Sequence, residues 1–114
     1  FAGALPADAD ASETGTLLCE LSLNGTATGL TFAAAAAAGT ISKAAAEVWS
    51  GTNVATGTAT HYRFVAPGDT GALSTSEARL QGSVGLIGAD LNISNTNLTS
   101  GAPQTIDYYT ATLL

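Results

Sequence analysis

Thr58-Ala59-Thr60-His61-Tyr62-Arg63-Phe64-Val65 and its downstream partner, Ala78 to Val84, decide how this chain folds. In the first run Thr60, Tyr62 and Phe64 fall on one side, and His61, Arg63 and Val65 on the other. In the second, Leu80, Gly82 and Val84 alternate with Arg79, Gln81 and Ser83. A two-residue period carried by β-branched and aromatic side chains marks a strand with one face buried. Between the runs, Ala66 to Ser76 holds Pro67-Gly68-Asp69 and Gly71, which adopt turn geometry at little steric cost. The pair is predicted to form a central hairpin with a long loop.

Upstream, Leu17 to Leu23 also alternates, with Leu17, Cys19, Leu21 and Leu23 on the side expected to face inward, and Asn24-Gly25 is a turn signal. Leu30-Thr31-Phe32 resumes briefly. Ala33 to Ala38 and Ser42 to Trp49 admit two readings. Alanine is the best helix former and Ser42 is a possible N-cap. Gly39-Thr40-Ile41 interrupts the run, however, and each half is too short to hold a helix alone. We read the second half as strand or irregular.

Downstream, Gly85 to Asp90 is a glycine-punctuated bend, Leu91 and Ile93 alternate with polar residues, and Leu98 is the single apolar anchor of Ser94 to Gly101. Pro103 opens a last strand, Gln104 to Leu113. A bulge between Tyr108 and Tyr109 would let Ile106, Tyr109, Ala111 and Leu113 share a face. Short strands separated by turn residues read as all-β: an antiparallel sandwich or barrel of jelly-roll or immunoglobulin-like kind. Residues 17–114 are expected to form one β domain. Residues 1–16, with Pro6, Gly15, Asp8, Asp10 and Glu13 and no periodicity, are expected to form an extended, solvated N-terminal arm. Asp8 and Asp10 lack the loop pattern of a calcium site. A start at Phe1, in a chain without Met, is expected of a processed or partial product.

The hydrophobic content of 46% is largely alanine, and the large side chains amount to three Phe, three Tyr and one Trp with no Met. A buried Leu or Phe contributes about 1.5–3 kcal/mol and an Ala far less. The core is thus expected to be thin, and stability to be completed by a partner or by self-association. Nine acids against three bases give a net charge of −6, which disfavours nucleic acid and anionic membranes as partners. Only 11% of residues are charged, so the surface must be built from Ser, Thr, Asn and Gly. Three glycosylation sequons, at Asn24, Asn92 and Asn97, are unsurprising where Ser and Thr make up 26 of 114 residues. Cys19, the only cysteine, is expected to be a buried, inert thiol.

Catalytic patterns are missing from the sequence. With a single His and a single Cys, a zinc site would need several carboxylates. Gly82-Ser83-Val84-Gly85 lacks the spacing of a nucleophile elbow, and the glycines from 82 to 88 do not follow a phosphate-loop pattern. His61 is expected at an exposed or edge position rather than as a base.

Gly15-Thr16-Leu17-Leu18, Gly57-Thr58-Ala59-Thr60-His61-Tyr62-Arg63-Phe64, Gly82-Ser83-Val84-Gly85 and Gly88-Ala89-Asp90-Leu91-Asn92-Ile93 occur in that order. The ordered set, from about residue 14 onward, resembles a family of small tailed-bacteriophage virion structural proteins, usually described only as head-associated. Family members typically carry an aromatic where His61 stands, and an N-terminal helical segment that this chain does not show. The resemblance favours an extended Ile41 to Trp49 and implies no catalytic residue and no cofactor. It implies a non-enzymatic decoration (cement) protein on the capsid exterior, with the major capsid protein or other virion proteins as partners, and homo-oligomeric. The apolar residues without an obvious internal face, Trp49, Leu86, Ile87 and Leu114, are the candidate interface, and the arm is expected to lie along a neighbour. The alternative is a tail, collar or fibre module contacting a host-surface glycan through an aromatic platform of Trp49, Tyr62 and Tyr108.

Overall fold

A computed structural model of the chain describes residues 1–112. Its centre is the predicted hairpin: β5 (His61–Val65) runs antiparallel to β6 (Arg79–Gly85), with His61 opposite Ser83, Tyr62 opposite Gly82 and Val65 opposite Arg79. The other strands are β1 (Ser22–Leu23), β2 (Thr40–Ser42), β3 (Trp49–Thr52), β4 (Gly57–Thr58), β7 (Leu91–Asn92), β8 (Asn97–Leu98), β9 (Pro103–Ile106) and β10 (Thr110–Thr112). They form four small sheets, ordered β1-β3-β9, β5-β6-β7, β2-β10 and β4-β8. Every pairing is antiparallel except β6 with β7. The described residues are all-β, without helix, and sandwich-like in layering.

The β1-β3-β9 and β5-β6-β7 sheets meet across one aromatic nest. Trp49 of β3 lies 5.8 Å from Phe64 of β5 and 5.9 Å from Tyr109, ring centre to ring centre. Phe32 completes the group at 5.4 Å from Phe64 and 5.7 Å from Trp49. The Tyr62 and Tyr109 hydroxyls are hydrogen-bonded at 2.9 Å, so both phenols enter the core with their polar ends satisfied. Burial, and then the Tyr109 hydroxyl, push the Tyr62 phenol well above its ordinary range. A sparse aromatic complement is thus concentrated rather than spread. A second, smaller cluster gathers Leu18, Ala59 and Leu98.

The two readings left open for the alanine run are decided against helix: Ala38 and Gly39, at φ of 51° and 78°, turn the chain so that Ala37 bridges Thr40, and Ser42 to Trp49 is strand or irregular as expected. Trp49 itself opens β3, while residues 43–48 connect it to β2. Other expectations are corrected. Within Leu17 to Leu23 only Ser22 and Leu23 are strand, with an isolated bridge from Cys19 to Asn53, and Thr16 just before the segment bridges Ala2. The alternation there is also displaced. Leu18 is buried and Leu17 is 40% exposed, because Leu18 fills the small cluster and Leu21, three residues on, packs against the aromatic one. Cys19 is only half-buried.

Other readings match. Asn24 and Gly25, at φ of 54° and 68°, form the two-residue turn their sequence announces. The last strand breaks at 107–109, turning Tyr108 out and Tyr109 in, with Ile106 buried. Leu113 and Leu114 lie outside the described residues.

Candidate functional site

The alternation in β5 and β6 leaves one hairpin face carrying His61, Arg63, Arg79 and Gln81. These groups are not solvated; residues 1–16 lie across them. Arg63 Nη1 donates to the Ala11 carbonyl at 3.0 Å, Arg79 Nη1 to that of Ala9 at 3.1 Å, and Gln81 Nε2 to that of Pro6 at 2.9 Å. The Phe1 ring stacks on His61 at 5.4 Å, and Ala2 and Thr16 exchange backbone hydrogen bonds that close the segment on itself. The arm is therefore engaged by its own chain. The reason is chemical: carbonyls of an irregular segment need donors, and the polar face of the hairpin supplies them.

His61 does stand on an edge strand, since β5 is the outer member of the β5-β6-β7 sheet, but it is 1% exposed, so the exposure expected for it is corrected. Its Nε2 is 3.0 Å from Glu13 Oε1 and its Nδ1 is 2.9 Å from Thr60 Oγ1. Acid, imidazole and hydroxyl are in line, yet the Thr60 hydroxyl also lies 2.6 Å from the Gly3 carbonyl, and the space beside the ring is only about 70 Å³. The arrangement holds the arm in place. Burial raises the Glu13 carboxyl, but the Gly15 amide, His61 and Arg63 outweigh it, and the net shift is downward. On the loop, Arg79 grips Asp69 at 2.7 Å and, with help from the Gly71 amide, lowers its carboxyl to about 2.

At the far end of β6 the chain makes a different object. Leu86 is 63% exposed and Ile87 is 90% exposed, side by side at the tip of the turn between β6 and β7. The turn is braced. Asp90 Oδ2 accepts from the Ser83 amide at 2.9 Å, the Asp90 amide donates to Ser83 Oγ at 3.1 Å, and Asn92 Oδ1 accepts from the Ala89 amide at 3.0 Å. Two glycines permit this. A β-carbon on Gly82 would come within 2.9 Å of Asp90 and 2.8 Å of the Tyr62 ring, and Gly88 sits at φ +72°. Two large aliphatic side chains are thus fixed in water on a preorganised turn.

Of the predicted interface residues, Leu86 and Ile87 stand together on the surface. Trp49 does not: it is 3% exposed, in the aromatic nest, with its indole N–H donating to Glu47 at 2.7 Å. Its removal from the surface is a correction. Leu114 lies outside the described residues. The aromatic platform is likewise not assembled, since Tyr62 is half-buried and hydrogen-bonded to Tyr109, and only Tyr108 is exposed. Sequence reading missed Glu13, Asp90 and Asn92. The signal for Glu13 was available: His61 and Arg63 share a strand face opposite Tyr62 and Phe64, and a covered basic face requires an acid. Nothing in the spacing marks Asp90 or Asn92. Comparison of the chain with protein-family models, with curated proteins and with solved structures gives no match.

Proposed function

We propose that this protein is a non-enzymatic virion component that decorates the outside of a tailed-phage capsid and cements it, with the Leu86–Ile87 turn as its anchor. One observation carries the reading: two adjacent aliphatic side chains, 63% and 90% exposed, are held out on a braced turn. Exposed apolar groups cost little singly but gain about 1.5–3 kcal/mol each when a partner covers them. A braced turn loses less conformational entropy on docking than a mobile one. The hydroxyl-rich, weakly charged surface and the resemblance to head-associated phage proteins support the same reading.

The mechanism is mass action. Contacts available only on the assembled shell stabilise that shell, and repetition over many copies multiplies a modest individual gain. Neighbouring copies take their symmetry from the particle, which gives the homo-oligomer of this reading. The major capsid protein is the expected partner, through an apolar depression that receives Ile87.

The test uses the full chain and heads of the phage that encodes it. Stoichiometric co-sedimentation and a raised particle melting temperature are expected, with Ile87→Asp weakening binding at least about tenfold. Failure of the unaltered chain to bind heads would end the proposal, as would undiminished binding by Ile87→Asp.

A further inference from the structure

A cleft of about 660 Å³ opens beside the Leu86–Ile87 turn, sharing Asp90 and Asn92 with its bracing, between the segment running from β7 to β8 and the segment running from β9 into β10. That volume falls within the roughly 300–1,000 Å³ usual for small-molecule sites. We propose that it binds a neutral oligosaccharide through its hydroxyl groups. The inference does not depend on the capsid reading, because neither Leu86 nor Ile87 lines the cleft.

The lining decides the ligand class. Leu91 and Ile106, both buried core residues, contribute to it beside Asn92, Asn95, Asn97 and Asp107. The three asparagines are oriented by what their oxygens already accept: Asn92 Oδ1 takes the Ala89 amide, Asn95 Oδ1 the Asn97 amide, and Asn97 Oδ1 the Thr58 hydroxyl. Each amide is thereby fixed with an NH₂ group that has no partner among the described residues. Asp107 is exposed and makes no hydrogen bond or ion pair among the described residues, so it is an acceptor in waiting. Oriented donors beside a free carboxylate are the complement of sugar hydroxyls, each of which both donates and accepts.

Tyr108 adds the apolar half of the recognition. It also lines the cleft and is 75% exposed, because the break before β10 spends Tyr109 on the core and turns its neighbour outward. An exposed phenol ring offers a flat face for the C–H side of a pyranose and a hydroxyl for its edge. No Lys, Arg or His lines the cleft, whereas Asp90 and Asp107 both do, which sets it against sialylated, sulfated or phosphorylated ligands. The engaged oxygens of Asn92, Asn95 and Asn97 also fit a metal ion poorly, since hard cations require oxygens rather than N–H groups.

The experiment is saturation-transfer NMR followed by calorimetric titration of the full chain. The probes are maltohexaose, cellohexaose and mannohexaose, with sialyllactose as the anionic control. Saturable binding of at least one neutral hexasaccharide is expected, weakened at least about tenfold by Tyr108→Ala, retained by Tyr108→Phe and weakened by Asp107→Asn. Ile87→Asp should leave it unchanged, which separates this site from the capsid contact. The proposal is overturned if none of the three neutral sugars saturates, if Tyr108→Ala binds as the unaltered chain does, or if sialyllactose binds equally well.

Discussion

The two faces of the β5–β6 hairpin are covered by opposite means, with Leu80 and Val65 at its loop end left 46% and 38% exposed. On one, Tyr62 and Phe64 enter a nest with Trp49, Tyr109 and Phe32 that excludes water by apolar area and ring packing. On the other, His61, Arg63, Arg79 and Gln81 hold residues 1–16 through hydrogen bonds to backbone carbonyls and to Glu13. The first cover depends on which side chains are present. The second reads mostly backbone, so much of the arm sequence is free to vary while the hairpin residues are not. The comparison teaches that a chain short of large apolar residues can cover a second face with ordered polar contacts and opposed charges, even where Glu13 Oε2 and Arg63 Nε, 4.0 Å apart, are buried without a hydrogen bond.

The largest effect is expected on the apolar face. Trp49→Ala should cost about 3–5 kcal/mol in a denaturant titration, since it empties the nest that joins two sheets. A loss below about 1 kcal/mol would show that the nest is not the principal core. Next comes the polar face. His61→Ala leaves Glu13 without its imidazole partner and Phe1 without its stacking surface, for about 1–3 kcal/mol. Hydrogen exchange should show the Ala2 and Thr16 amides losing protection before those of β3 and β9; equal loss everywhere would mean that the two faces unfold as one.

Acid should separate the faces without mutation. Glu13 and Asp69 have folded-state carboxyls below their ordinary values of 4.5 and 3.8. A depressed carboxyl contributes stability above its unfolded pKa, and that contribution is lost as pH falls through the folded value. Arm protection should therefore hold above about pH 5 and decline toward pH 2, with the Trp49 fluorescence persisting to lower pH. Simultaneous loss of both signals, or an arm that loosens on raising the pH instead, would contradict the electrostatic account. The smallest change in stability belongs to Ile87→Asp, on neither face, which should lie within about 0.5 kcal/mol of the unaltered protein. A larger loss would mean that Ile87 is packed rather than presented.

Much of this was legible in the residues. The hairpin, the Asn24-Gly25 turn, the Leu98 anchor and the split between Tyr108 and Tyr109 all follow from period and turn chemistry, which are local properties. Leu86 and Ile87 were legible as apolar residues with no inward partner. Trp49 was not, because a residue at the start of a four-residue strand offers too short a pattern to assign a face. Leu18 was misassigned for a related reason: the strict alternation of Leu17 to Leu23 is broken by two clusters that draw Leu18 and Leu21, three positions apart, into different places. The cleft beside Tyr108 draws its lining from two segments that only folding brings together.

By itself, the sequence determined the β class, the central hairpin and the turns around it, because strand period and turn preference act between neighbours along the chain. It also limited the supply of large side chains and so required them to be pooled. Which residues pool, which face the arm closes over, and which apolar pair is left outside were decided only in three dimensions. Those outcomes depend on contacts between residues tens of positions apart, where each group competes for the same limited space and the same few partners.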